Sequence, residues 1–209
     1  RHNSFGKTEM WYVMQADDDA RLIVGFKEKS SKEAYQKSLE NKTIIDILDT
    51  KKVKKGDVFF LETGTVHAIG AGTVIAEIQQ TSDITYRLYD FDRVDTQGNK
   101  RELHIDLALD AINYNVVEAQ KDYSRVKNSS NEMVNCPYFT TNFIPLDGKI
   151  EVEKDKKSFT VYMCVEGNFE IENKGESYNY KTGDTVLIPA EMTSFDINGK
   201  ASLLEIYIS

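Results

Sequence analysis

The sequence predicts a mostly β protein made of two small barrels of the jelly-roll type, with a short helical insertion in the first and a partly helical connector. Two observations predict this class. Short runs rich in β-branched and aromatic residues, separated by turn residues, recur along the 209-residue chain. A strand–turn–strand segment also occurs twice, as KKGDVFFLETGTVHAI from Lys54 and as KTGDTVLIPAEMTSFDI from Lys181. Many short strands in two copies are typical of paired barrels.

The predicted strands follow one another closely in both halves. Those of the first half are WYVM, RLIVGF, DVFFL, TVIAEI and ITYRLYDF, and those of the second are FTVYMCV, NFEIE, TVLIPA and SLLEIYI. The G-D-x-x-x-x-P spacing that begins at Gly183 is typical of the strand–turn–strand unit of cupins. We therefore expect each barrel to be a cupin barrel.

A comparison of the two copies locates the insertion. Aligning Gly56 with Gly183 gives an offset of 127 residues, whereas pairing Tyr12 with Tyr162 upstream gives 150. The first copy should therefore contain about 23 extra residues between these points. The helix-like stretch SSKEAYQKSLENKTIIDILD, which begins at Ser30, accounts for them.

Two helix starts are predicted within this insertion. Ser30 and Glu33 have the S-x-x-E spacing of a capping box. Thr43 with Asp46 is expected to begin a second, shorter helix.

Three segments follow from this organisation. We expect a first cupin over residues 1–110, with its helical insertion at about 28–49. A connector over 111–136 leads to a second cupin over 137–209. The chain begins RHNSFGKTEMWYVM, without an initiator Met and almost at once in a strand, so we expect the first cupin to be truncated at its N-terminus.

Composition excludes several classes of partner. The net charge of −8 argues against nucleic acid and against anionic membranes, which both attract clustered Lys and Arg. No apolar run approaches the length of a membrane span. Cys136 and Cys164 lie far apart without a CxxC motif and are expected to be reduced thiols. We therefore expect a cytoplasmic protein that acts on a small molecule, as a monomer or weak dimer.

One of the three histidines lies in a glycine-rich segment, GTVHAIGAG at 64–72. The repeat supplies a control for its role. In the alignment above, the second copy has Ser194 in place of His67 and Phe159 in place of Glu9. Both candidate metal ligands are thus present in one copy only, which favours a metal site in the first barrel over a packing role.

The motifs KTEMWY and GTVHAIGAGTVIAEIQQTSDITYRLYDFDR, together with a second cupin that lacks ligands, resemble type I mannose-6-phosphate isomerase in its short bacterial form. The resemblance covers essentially the whole chain. It implies a zinc-dependent aldose–ketose isomerase that interconverts mannose 6-phosphate and fructose 6-phosphate through a cis-enediol.

The resemblance also implies site residues. In that family, zinc is bound by the Gln and His of Q-x-H-P, the Glu of K-x-E-M and the His of G-x-x-H-A. Glu9 and His67 match the last two ligands. The Q-x-H-P motif is absent from this sequence and is expected upstream of Arg1, and His2 lacks the neighbouring Gln and Pro. With two of four ligands, this chain alone is expected to bind zinc weakly and to show little activity.

Three further residues match catalytic positions of that family. Lys7 and Arg87 are expected to be catalytic and to bind substrate, and Glu77 is expected to be catalytic. The proton carrier is left open between Glu77, Lys7 and a water or sugar hydroxyl. His104 is expected to be structural.

Three other functions compete with the isomerase. A non-catalytic sugar-binding or regulatory cupin would also need few ligands. An iron dioxygenase requires an H-x-H pair, which the sequence lacks. A structural or storage cupin would need none of the candidate site residues.

Overall fold

The computed structural model describes residues 5–82, 84–91 and 93–208, which form thirteen strands and three short helices. Those of the first part of the chain are β1 Glu9–Ala16, β2 Arg21–Phe26, α1 Lys32–Glu40, α2 Ile44–Ile47, β3 Leu48–Lys52, β4 Val58–Leu61, β5 His67–Ile69, β6 Thr73–Gln79, α3 Ile105–Leu109 and β7 Gln120–Lys121. Those of the second part are β8 Asn131–Asn135, β9 Thr140–Glu153, β10 Thr160–Asn173, β11 Glu176–Lys181, β12 Thr185–Ile188 and β13 Ser194–Tyr207. The predicted mostly β class is confirmed.

The first half consists of two sheets, one of four strands in the order β6-β1-β4-β7 and one of three strands in the order β3-β2-β5. Their facing sides share a core that includes Trp11, Leu22 and Phe59. Because successive strand residues point to opposite faces, Met10 and Tyr12 face the other way and pack against the second half. Strand β1 is therefore buried on both faces.

The second half is a six-stranded sheet in the order β11-β10-β13-β9-β8, with β12 also paired to β10. Its core includes Tyr162, Ile197 and Leu203. Strands β10 and β13 are each 14 residues long and approach closely at Gly167, where a Cβ would lie 2.2 Å from the carbonyl oxygen of Lys200. Among the residues described, no sheet closes on itself, so the pair of closed barrels stays a prediction.

The internal repeat is confirmed by matching hydrogen bonds at the turns before β4 and β12. In the first copy, the amide of Val13 donates to the carbonyl of Asp57 at 2.9 Å. In the second, Cys164 donates to Asp184 at 2.9 Å. The two strands also have a register shift at the same place, after Val13 and after Cys164.

The predicted alignment of the upstream strands was wrong by one residue. Trp11 lies opposite Phe59 and Glu77, and Tyr162 lies opposite the corresponding residues of β12 and β13. Tyr162 therefore corresponds to Trp11, not to Tyr12. By the same register, Glu9 corresponds to Thr160 rather than to Phe159, and the second copy still lacks the carboxylate.

The helical insertion is confirmed, with α1 and α2 between β2 and β3. Its first cap was misplaced, because Ser31, not Ser30, accepts the hydrogen bond from the amide of Ala34, at 3.2 Å. The second helix follows Thr43, as predicted. Fully buried Tyr35 and buried Ile44 attach the two helices to the first half.

Two other elements differ from prediction. The segment ITYRLYDF contains no strand over the described residues 84–91. The connector 111–136 contains strands β7 and β8, whereas the helix α3 ends just before it. Strand β8 already belongs to the six-stranded sheet of the second half, because Asn131 pairs with Phe143 of β9. The segment boundaries at 110 and 136 stay predictions.

No helix in the described part of the chain is long and apolar enough to cross a membrane. Cys136 and Cys164 are both free, as the sequence predicts.

Candidate metal and active site

The structure brings the two predicted metal ligands into contact. Glu9 lies at the start of β1 and His67 at the start of β5, in different sheets of the first half. The His67 Nε2 atom is 2.9 Å from the Glu9 Oε1 atom. Glu9 is fully buried and the His67 side chain is 31% exposed, so the imidazole separates the carboxylate from solvent.

The tautomer of His67 makes this contact a candidate cation site. The carbonyl oxygen of Thr65 lies 2.8 Å from Nδ1 and can only accept, so Nδ1 carries a hydrogen. In a neutral imidazole, Nε2 then directs a lone pair at Glu9. The buried Oε1 atom of Glu9 has no aligned hydrogen bond from any described residue. Two lone pairs this close require a proton or a metal ion between them, and one N and one O donor suit zinc.

A chain of charged contacts extends from Glu9. The Lys7 ammonium contacts Glu9 Oε2 and donates to Glu77 Oε1 at 2.8 Å. Burial opposes the charged form of Glu9, but the His67 imidazole, when a proton lies on Nε2, and the Lys7 ammonium outweigh it and lower the pKa of Glu9. Burial likewise opposes the charge on Lys7, and the two carboxylates outweigh it and raise the pKa of Lys7. The structure thus brings Lys7, Glu9, His67 and Glu77 together, as the sequence predicts.

Glycines shape the segment that carries His67. Gly64 has a φ of +93°, and a Cβ there would lie 2.5 Å from the carbonyl oxygen of Ala111. At Gly70, a Cβ would lie 2.2 Å from the carbonyl oxygen of Arg21. A side chain at Gly70 would push the end of β5 away from β2, and one at Gly64 would push the segment before β5 away from Ala111, so either would move the imidazole.

Lys7 and His67 line a cavity of about 530 Å³ that Arg87 also lines. The backbone of Arg87 is held by His104, whose Nδ1 accepts from the Arg87 amide at 3.1 Å. The Arg87 guanidinium donates to the carbonyl oxygen of Glu102 at 3.2 Å. Arg87 therefore lines the same cavity as two members of the cluster, Lys7 and His67, and its guanidinium donates to a backbone carbonyl rather than to a carboxylate in the hydrogen bond described above.

The sequence did not predict the cationic group on another part of the cavity wall. Buried Asp90 pairs with Arg93 at 2.7 Å and with Arg101, whose Nε lies 2.8 Å from Asp90 Oδ2. The two guanidinium groups hold the pKa of Asp90 down to about 2. Two cations and one anion leave a net positive charge. A run of charges in the segment after Arg87 was the available signal, but it did not show which charges meet.

Trp11 was also missed. Its indole Nε1 donates to Glu77 Oε2 at 3.0 Å, and its ring packs edge-on against His67 with centroids 5.1 Å apart. The motif KTEMWY contains it, but an aromatic strand residue is ordinarily read as core.

Within the described ranges, no group of three or more His, Cys, Asp or Glu side chains is arranged to hold a metal ion. His2 lies outside the described residues.

The family model "Mannose-6-phosphate isomerase, cupin domain" matches residues 129–208. Mannose-6-phosphate isomerase ManA of Bacillus subtilis (strain 168) is 32% identical over 206 residues, which are 97% of this chain and 65% of the relative. Mannose-6-phosphate isomerase of Streptococcus mutans is 35% identical over 204 residues, with 95% and 63% covered. The chain thus spans slightly less than two thirds of the length of these curated relatives.

Solved structures agree with the sequence relatives. The crystal structure of mannose 6-phosphate isomerase from Bacillus subtilis has a TM-score of 0.88 and 31% identity, with 97% of this chain and 65% of that chain covered. A phosphomannose isomerase variant from Salmonella typhimurium has a TM-score of 0.72 at 13% identity, with 97% and 66% covered, and supports the fold alone.

Proposed function

We propose that this chain, which is similar to mannose-6-phosphate isomerases over 97% of its length, belongs to their family and carries the zinc site and the acid–base residues of an aldose–ketose isomerase. Its substrates would be mannose 6-phosphate and fructose 6-phosphate, and the reaction would pass through a cis-enediol. The observation that carries the proposal is the contact of Glu9 with His67, in which a buried carboxylate oxygen lies 2.9 Å from an imidazole nitrogen.

Glu9 and His67 would hold the zinc ion, with two further ligands expected from residues outside this chain. When bound, zinc would act as a Lewis acid on the sugar carbonyl, a contribution of several kcal/mol in general. The chain itself prepares this site. The carbonyl oxygen of Thr65 fixes the imidazole tautomer, and Lys7 occupies the second oxygen of Glu9.

Glu77 is better suited than Lys7 to carry the proton between C1 and C2. The Lys7 ammonium is engaged by two carboxylates, which stabilise its protonated form. A protonated amine cannot accept a proton. Glu77 is exposed on β6, and its two oxygens are oriented by Lys7 and by Trp11. A carboxylate held in this way can act as a general base and return the proton as an acid.

Arg87 would stabilise the negative oxygens of the enediolate, since its guanidinium presents several donors to one cavity. Lys7 and Arg87 were both expected to bind substrate. Because Lys7 is already paired twice, we assign the phosphate mainly to the surplus positive charge of Arg93 and Arg101.

The non-catalytic sugar-binding or regulatory cupin is the second candidate. Nothing specific in the structure favours it, because Glu77, Lys7 and the metal-ligand pair form one connected cluster.

The direct test is an isomerase assay on the longest natural chain that contains these 209 residues, hereafter the full-length protein. We expect zinc-dependent conversion of mannose 6-phosphate to fructose 6-phosphate, lost on chelation and restored by added zinc. Stoichiometric zinc without turnover of any aldose phosphate would overturn the proposal and favour the sugar-binding cupin.

The assignment of the phosphate group is tested by Arg101→Ala. Removing one of two cations is expected to raise the KM for the sugar phosphate about tenfold to 100-fold, because a charge-assisted hydrogen bond contributes about 1.5–3 kcal/mol. The kcat should change little. Lys127→Ala is the control, since Lys127 pairs with Asp147 in the second half. An unchanged KM in Arg101→Ala would contradict the assignment.

A further inference from the structure

We propose that Trp11 is a positioning residue of the active site, which fixes the carboxylate of Glu77 and the ring of His67 at the same time. The inference rests on the proposed function and adds to it a residue outside the expected catalytic set. Trp11 is the only tryptophan of the sequence and is 1% exposed. Its indole N–H nevertheless points to a charged partner on the neighbouring strand, at 3.0 Å.

The geometry explains why an anchor is useful there. Glu77 is an exposed residue with a long, flexible side chain, and such side chains sample many rotamers. Lys7 holds Oε1 and Trp11 holds Oε2, so the carboxylate is held at both oxygens. The indole ring also packs perpendicular to His67, at an interplanar angle of 90°. One buried side chain thus links the proposed proton carrier to a proposed metal ligand.

The second copy of the repeat contains the same pair, an aromatic donor bonded to a glutamate on the neighbouring strand, but it lacks the counterparts of Glu9 and His67. Tyr162 corresponds to Trp11 and Glu205 to Glu77, because each aromatic residue lies directly opposite its glutamate. The Tyr162 hydroxyl donates to Glu205 at 2.9 Å, as the indole does to Glu77. An aromatic donor and a cross-strand glutamate are therefore common to both halves, whereas Glu9 and His67 occur only in the first. The first half has this pair beside its metal ligands.

The repeat also supplies a matched pair of variants. Trp11→Phe removes the donor and keeps an aromatic ring. Trp11→Tyr restores a donor, a tyrosine hydroxyl. In the second half, the hydroxyl of Tyr162 donates to the glutamate directly opposite it, Glu205. In the full-length, zinc-loaded protein we expect Trp11→Phe to lower kcat about tenfold to 100-fold, with KM nearly unchanged. The kcat of Trp11→Tyr should be at least about fivefold higher than that of Trp11→Phe, because the tyrosine regains roughly one hydrogen bond to a charged group.

Equal kcat values for the two variants, in folded protein with normal zinc content, would overturn the inference. So would a Trp11→Phe variant with the kcat of the wild type. A wild-type protein without isomerase activity would instead defeat the proposed function. The two failures are therefore distinguishable.

A second measurement does not depend on turnover. The indole N–H resonance of Trp11, identified by its loss in Trp11→Phe, should move and exchange faster with solvent when Glu77→Ala removes the acceptor. Glu205→Ala is the matched control and should leave that resonance in place. A resonance unchanged by Glu77→Ala would show that the indole does not hold the carboxylate, and would overturn the inference whatever the kinetics.

Discussion

Replacing His67 with Ala, or Glu9 with Gln, is expected to remove zinc from the full-length protein and to lower isomerase turnover about 1,000-fold or more. The loss of a Lewis acid worth several kcal/mol corresponds to this factor, at about 1.4 kcal/mol per tenfold change in rate. Glu9→Gln is the sharper variant because it keeps the shape of the side chain. Zinc content after dialysis and kcat are the two measurements.

The second half offers matched controls for these variants. Thr160 and Ser194 lie at the positions that correspond to Glu9 and His67. Thr160→Val and Ser194→Ala should therefore leave zinc content and turnover unchanged. A His67→Ala protein that kept its zinc and its kcat would show that the contact between imidazole and carboxylate is structural.

The internal repeat allowed the candidate site to be predicted from one sequence. The exact alignment of strand β1 with strand β10 was not predicted. Two copies of one scaffold showed that Glu9 and His67 belong to the first copy alone, and this conclusion survives the shift of one residue. The shift itself arose because Met10, Trp11 and Tyr12 are all buried. A strand buried on both faces has no alternation of polar and apolar residues to fix which of them point together.

Non-local contacts account for what the sequence did not predict. The segment ITYRLYDF has the composition of a strand, but no neighbouring strand pairs with its described residues, and Arg87 instead meets His104 from beyond the next turn. The pairing of Asp90 with Arg101 likewise depends on that turn. The propensities of neighbouring residues predict local backbone conformation. The residues that line a cavity depend instead on contacts between segments far apart in the sequence.

Trp11 illustrates the same limit at the level of a single side chain. A buried aromatic residue on a strand predicts packing, and Trp11 does pack in the core between the two sheets of the first half. Its second role depends on the polar edge of the indole, which has a partner only because β1 and β6 are neighbours. The pairing of those strands lies beyond what the motif KTEMWY alone indicates.

Glu77→Gln is expected to lower isomerase turnover about 100-fold to 10,000-fold while zinc content stays at the wild-type level, because the amide has the size of the carboxylate but cannot carry a proton. Exchange of the C2 hydrogen of the substrate with deuterium oxide separates this effect from weaker binding, and it should fall together with turnover. Glu205→Gln is the matched control, since Glu205 lies at the corresponding position of the second half and is bonded to Tyr162. Lys7→Met should retain measurable exchange, because the ammonium only orients its two carboxylates. The reverse pattern, with exchange abolished in Lys7→Met and kept in Glu77→Gln, would identify Lys7 as the proton carrier.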